Sequence, residues 1–216
     1  MRAPLLLLIM VGQIVLLSAA VVIDRMAIVA GTRVIKDSDI EREIRLTDFL
    51  NGDKLDLTPA ARRKAGQRLI DQAMIHREVD MGRYTAPTPS EIEAFLQQVK
   101  KQHFTDETQF RQALQNYGIG QEQLDSQVRW QISVLHFIEQ RFRPSILVSE
   151  QESESYYRAH QADFRNPKTG KVALIDDVRD QIQDILATPK VTKEFEDWLD
   201  RARKRTKVEY REASLE

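Results

Sequence analysis

Cysteine is absent from the 216 residues. No disulfide framework, thiolate metal site or cysteine nucleophile can therefore be built from this chain. The absence suits an oxidising compartment, where a stray thiol is a liability, but does not fix one. Glycine and proline are sparse, at 8 and 7. That excludes collagen-like and low-complexity architectures and argues against a sandwich full of tight turns. An excess of one charge is also missing, since 32 Lys+Arg face 33 Asp+Glu. Domains built to grip nucleic acid are usually strongly basic, so nucleic acid is not an expected partner. What remains is 42% apolar and 30% charged. This is enough for a core, with the surplus charge of exposed helices. The length allows one domain or two small ones.

A long hydrophobic run occurs once, at the N-terminus. Met1-Arg2 gives a positive start, Leu5 to Leu17 is apolar apart from Gly12 and Gln13, and Ser18-Ala19-Ala20 supplies a small-residue exit. This is the pattern of a secretory signal, predicting residues 1–20 as a signal peptide cleaved after Ala20. The alternative is an uncleaved anchor, because Leu5 to Ile23 is just long enough to span a bilayer. A membrane partner is expected only in that case.

The rest reads as helices closed by strands at both ends. Val21 to Val29 and Arg33-Val34-Ile35 flank Ala30-Gly31-Thr32 as a hairpin. Asp37-Ser38-Asp39 offers N-cap oxygens before Ile40, Ile44 and Phe49. Thr58-Pro59 starts a helix that runs to about Met81 and stops at Gly82. Its expected stripe is Ala61, Ala65, Leu69, Ala73 and Met74. After the Thr85–Pro89 connector, Ile92, Phe95, Leu96 and Val99 share one face of the next helix. A shorter helix from Asp106 stops at Gly118. The longest runs from Gly120 to about Phe142 with two apolar stripes. One is Leu124, Val128, Ile132, Leu135 and Phe142; the other is Trp130, Val134 and Phe137. Two stripes require two partners, or one partner and a ligand. Ser149 caps a helix that fades near Phe164. Two further helices are predicted, one carrying Leu174 to Leu186 and one started by Pro189. Lys207 to Arg211 alternates like a strand. A lone strand is unstable, so the two chain ends are expected to meet in one small sheet.

Chemical motifs are scarce. His76, His103, His136 and His160 form no HExxH, and no two share i, i+4 spacing. They read as solvated or core-edge imidazoles, and no metal is expected. Ser145 and Ser149 lack a nucleophile-elbow context, and Gly118-Ile119-Gly120 lacks the third glycine of a phosphate cradle. No catalytic residue and no cofactor are expected. Arg201, Arg203, Lys204, Arg205 and Lys207 form the sharpest charge feature. They either complement a helix dipole or meet anionic lipid or an acidic client. The aromatic and apolar residues of the middle helices, Phe95, Phe104, Phe110, Tyr117, Trp130, Val134 and Phe137, either form core or line a groove for unfolded polypeptide.

Five stretches, in order, resemble the SurA-like periplasmic chaperones, relatives of the parvulin-type peptidyl-prolyl isomerases. Ile28 to Ile40 looks like the family's opening hairpin and capped helix, and Arg68 to Ile75 like its "LID" helix. Phe110 to Leu114, with Tyr117-Gly118-Ile119 and Leu124, resembles its "F..AL...G" pair. Val148 to Phe164 resembles the lead into the parvulin domain, and Val178 to Tyr210 the closing helices and strand. The resemblance implies a mainly α, multi-helix module with a small sheet. It places a helical chaperone domain at 21–164, completed by 165–216. It also implies unfolded polypeptide clients, outer-membrane proteins among them, in a periplasm. One departure stands out. A parvulin domain needs roughly 90 residues, and only 13 lie between Phe164 and Val178. The isomerase domain is read as absent, so no catalytic residue carries over. A membrane-anchored assembly factor, an isomerase with an unrecognised site and a dedicated partner of one protein remain alternatives.

Overall fold

The computed structural model describes residues 24–167, 169–211 and Leu215. The expected cleavage after Ala20, its anchor alternative and the strand start at 21–23 lie outside the described residues.

Strands β1 (Met26–Ala30) and β2 (Arg33–Lys36) form the expected hairpin across Gly31-Thr32. Gly31 takes a φ of 61°, the positive value required at the first position of a type II′ turn. The last strand, β3 (Val208–Tyr210), pairs with the other edge of β1 and sets Ile28 opposite Tyr210. The order β2-β1-β3 joins the two ends of the described chain in one antiparallel sheet. Val208 and Tyr210 pack on the core, whereas Glu209 turns to Lys207 and Arg211, as the period of two demands.

Helix α1 (Asp37–Asn51) follows β2 directly. Its N-cap is Lys36, one residue earlier than the sequence suggests. Asp37 and Asp39 instead sit in the first turn, where the dipole favours acids. Asp39 accepts the Lys36 N–H at 3.0 Å. Helix α2 (Pro59–Met81) begins and ends where its punctuation predicts, with Thr58 accepting the Ala61 N–H at 3.3 Å. It crosses close to the sheet at Gly66, where a Cβ would stand 2.9 Å from Ile28 Cδ1. Helices α3 (Pro89–His103) and α4 (Glu107–Tyr117) are capped by Thr88 and Asp106. Helix α5 (Gln121–Phe142) follows, then α6 (Glu150–Ala159).

Two cores share α1 and α5. Ile40 and Ile44 join the sheet, α2, Phe137, Phe142 and Trp198 in the first. Leu46, Phe49 and Leu50 join α3, α4, Leu124, Val128 and Ile132 in the second. The two faces of α5 thus do meet two partners. Phe142, expected on the stripe of Leu124, Val128 and Ile132, packs beside Phe137 in the sheet-side core instead. Ten residues past Ile132, the helical turn of about 3.6 residues has carried it off that stripe. Leu135, expected on a buried stripe, is 55% exposed at the rim of the α3–α5 contact.

The two helices predicted on either side of Pro189 are one, α7 (Ile175–Arg205). An interior proline costs about 3 kcal/mol. Pro189 lies on the exposed face, and the helix it interrupts is held on both sides. Ala187 and Val191 are buried next to it, and Trp198 and Leu199 anchor the C-terminal half. Each large buried apolar side chain contributes ~1.5–3 kcal/mol, which outweighs the proline. Leu174 is the exposed N-cap rather than part of a buried stripe. Between α6 and α7 the chain closes on itself. Arg165 bridges Val172, and the Ala173 N–H donates to the Phe164 carbonyl at 2.9 Å.

Candidate functional site

Two clefts open on either side of the β-hairpin and meet at Arg33, Ala73 and His76. The first, of about 450 Å³, lies between β2, α1, α2 and α5. The second, of about 620 Å³, lies between the hairpin turn, α2 and the end of α7.

One wall of the first cleft is β2 itself. No strand covers its outer edge among the described residues. Val34 stands opposite Val29, between the Ala30–Arg33 and Ile28–Ile35 pairs. A two-residue hairpin makes Ala30–Arg33 a hydrogen-bonded pair, so alternation turns the N–H and C=O of Val34 outward. The residue is 42% exposed.

The floor holds a carboxylate that sequence reasoning missed. Glu43 is only 5% exposed. Its Oε1 accepts from Arg68 Nε at 2.9 Å and Thr47 Oγ1 at 3.2 Å, and Oε2 accepts from Gln72 Nε2 at 3.3 Å. A buried charge survives when it is paired and hydrogen-bonded. These bonds occupy both oxygens and tie α1 to α2, so Glu43 is a structural anchor, not a free base. The signal was its spacing: Ile40, Glu43 and Ile44 share one helix face.

On the opposite wall Trp130 stacks on His76, with centroids 3.5 Å apart. Burial disfavours the charged imidazole and pulls the His76 pKa below its usual value. The Arg33 guanidinium adds to this, and Asp80 opposes it. The sequence marked His76 only as a scattered imidazole, because the partners that perturb it lie on three other turns of chain.

The seven candidate residues do not form one groove. Phe104, Phe110 and Tyr117 pack around Phe49, with centroids 5.4, 5.5 and 5.7 Å from its ring. Phe110 is core at 2% exposure, and so is Phe137 at 0%. Val134 packs against the sheet-side core. Trp130 lines the first cleft. Phe95 lines a separate shallow groove with Ile132 and Leu135. Aromatic content alone could not separate these positions, since core and groove ask for the same side chains.

Of the C-terminal cations, Arg203 forms a two-pronged bond to Asp71 at 2.8 Å on each side, and Lys207 pairs with Glu209. Arg205 lines the second cleft with Arg33 and Arg77. Among the described residues no group of three or more His, Asp or Glu is placed to hold a metal ion. No described helix is long and apolar enough to cross a membrane. The clefts offer an open strand edge, an aromatic stack and guanidinium groups, which together suit binding an extended chain. No protein-family model matches the sequence, and neither does any curated protein.

Proposed function

We propose that this chain is an exported, ATP-independent chaperone-like module that reversibly captures extended segments of unfolded polypeptides. Outer-membrane proteins in the periplasm are the clients the family resemblance implies. One observation carries the reading: two clefts run together at Arg33 and His76 beside the uncovered edge of β2. An extended client segment can add to that edge through main-chain hydrogen bonds, which are indifferent to sequence. Its apolar side chains gain by leaving water for Trp130 and Leu69. Release follows from mass action once the client folds elsewhere.

The short loop after Phe164 supports capture without isomerisation. Phe164 and Ala173, on either side of that loop, are hydrogen-bonded to each other. The test combines two assays. The purified chain is expected to keep a denatured β-barrel protein soluble at near-stoichiometric ratio without ATP. It is expected not to accelerate X–Pro exchange, whose barrier is about 18–20 kcal/mol. Trp130→Ala should weaken capture while costing less than the ~3–5 kcal/mol of a fully buried Trp. Unchanged client aggregation across several clients overturns the reading, and clear proline turnover overturns the absence of an isomerase site.

A further inference from the structure

The second cleft carries charge that the fold does not use. Arg33 opens β2, Arg77 lies on α2, and Arg205 ends α7; all three line the cleft. Among the described residues none of the three forms an ion pair or a side-chain hydrogen bond. Most other guanidinium groups nearby are engaged. Arg203 holds Asp71 and Asp200, and Arg141 holds Glu78 at 2.8 Å. Glu78 therefore faces the cleft already neutralised, leaving Asp80 as the opposing carboxylate. Arg205 alone could serve the α7 dipole. Arg33 and Arg77 could not, because they sit on other elements. Three unpaired guanidinium groups from three elements around one concavity present a fork geometry matched to carboxylates.

We propose that the segment captured by this site is acidic, its carboxylates docking on Arg33, Arg77 and Arg205 while its backbone runs on along β2. The inference rests on the capture reading above. Continuity selects polypeptide as the source of the carboxylates. The second cleft joins the first at Arg33, and the first offers strand-edge donors and acceptors that a lipid headgroup has no use for. A carboxylate arriving there would offset the Arg33 charge that helps hold His76 neutral. Docking of any segment buries the ring further, so the acidic segment is expected to hold the His76 pKa above the value it takes with a neutral one and, through the stack, to alter Trp130 emission.

The experiment uses the full chain and two fluorescent peptides of alternating Val and Thr. One ends in three Glu and the other in three Gln. The acidic peptide is expected to bind about tenfold tighter at low salt, with the advantage shrinking as ionic strength rises. Arg77→Gln with Arg205→Gln should remove most of that advantage and lower the melting temperature by no more than the loss of one cation at the α7 C-terminus allows, since both side chains are exposed. An NMR titration should show a higher His76 pKa with the acidic peptide than with the Gln peptide. Equal affinity for the two peptides overturns the acidic preference and leaves the capture reading standing. So does failure of both to bind while the chain still suppresses aggregation. Loss of peptide binding and aggregation suppression together removes the capture reading itself. Tight binding to anionic vesicles, abolished by the arginine variants and without peptide preference, overturns the proposal in favour of a membrane surface.

Discussion

Trp130 lies flat on His76, with ring planes 11° apart, where the two clefts join. The stack bridges α2 and α5, and it ties the protonation of one ring to the emission of the other.

That pairing makes a pH prediction. The folded pKa of His76 is depressed, so the unfolded chain takes up the proton first. The stability associated with the neutral ring is complete above its ordinary value of 6.5 and is lost as pH falls through the depressed value. Melting temperature should drop as pH falls below the ordinary value of 6.5. In His76→Gln that part of the drop should be missing. An unchanged pH slope in the variant would contradict the assignment.

Glu43 and Arg68 predict an asymmetry. Removing Arg68 alone strands a carboxylate that is 5% exposed. Gln72 and Thr47 still reach it and Arg68 is itself partly exposed, so Arg68→Ala should cost ~1–3 kcal/mol, the cost of leaving a buried acceptor short of a partner. Replacing both partners, as in Glu43→Leu with Arg68→Leu, should recover most of the loss, because no charge is left buried. Urea unfolding of Glu43→Leu, Arg68→Leu and the double measures the coupling. Additive losses would mean that the pair does not act as one.

Ser153 on α6 is fully buried, and its hydroxyl has no hydrogen-bond partner among the described residues. Ser153→Ala removes that group and improves helix propensity. The variant should be more stable by ~1 kcal/mol, a rise of several degrees in melting temperature. A fall instead would reveal a partner for the hydroxyl.

The terminal strand carries its own test. Ending the chain after Thr206 removes the β1–β3 ladder and Leu215, which is 4% exposed. Melting temperature should fall by several degrees, or the fold should fail outright. A melt matching the full chain would show that β1 does not need this neighbour.

Much of the architecture was legible because its signals are local. Thr58-Pro59 and Gly82 bound α2 where cap chemistry puts them, and Gly118 ends α4 in the left-handed conformation. Pro189 was misread for the opposite reason. Its stop signal is local, whereas the contacts of Val191, Trp198 and Leu199 that carry α7 through it come from distant segments. The clefts were barely legible. Trp130 stood out on the second stripe of α5. The open edge of β2, the buried Glu43 and the unpaired Arg33 and Arg77 exist only once α2 is laid across the hairpin.

The place of β1 between β2 and β3 also sets an order of events. Ile28 finds its β2 neighbour Ile35 within a few residues, but its other neighbour, Tyr210, comes at the far end of the described chain. Contacts of such long sequence separation close late and slowly. A nascent chain therefore cannot complete its sheet until its last strand has emerged, and until then the hairpin waits half-paired.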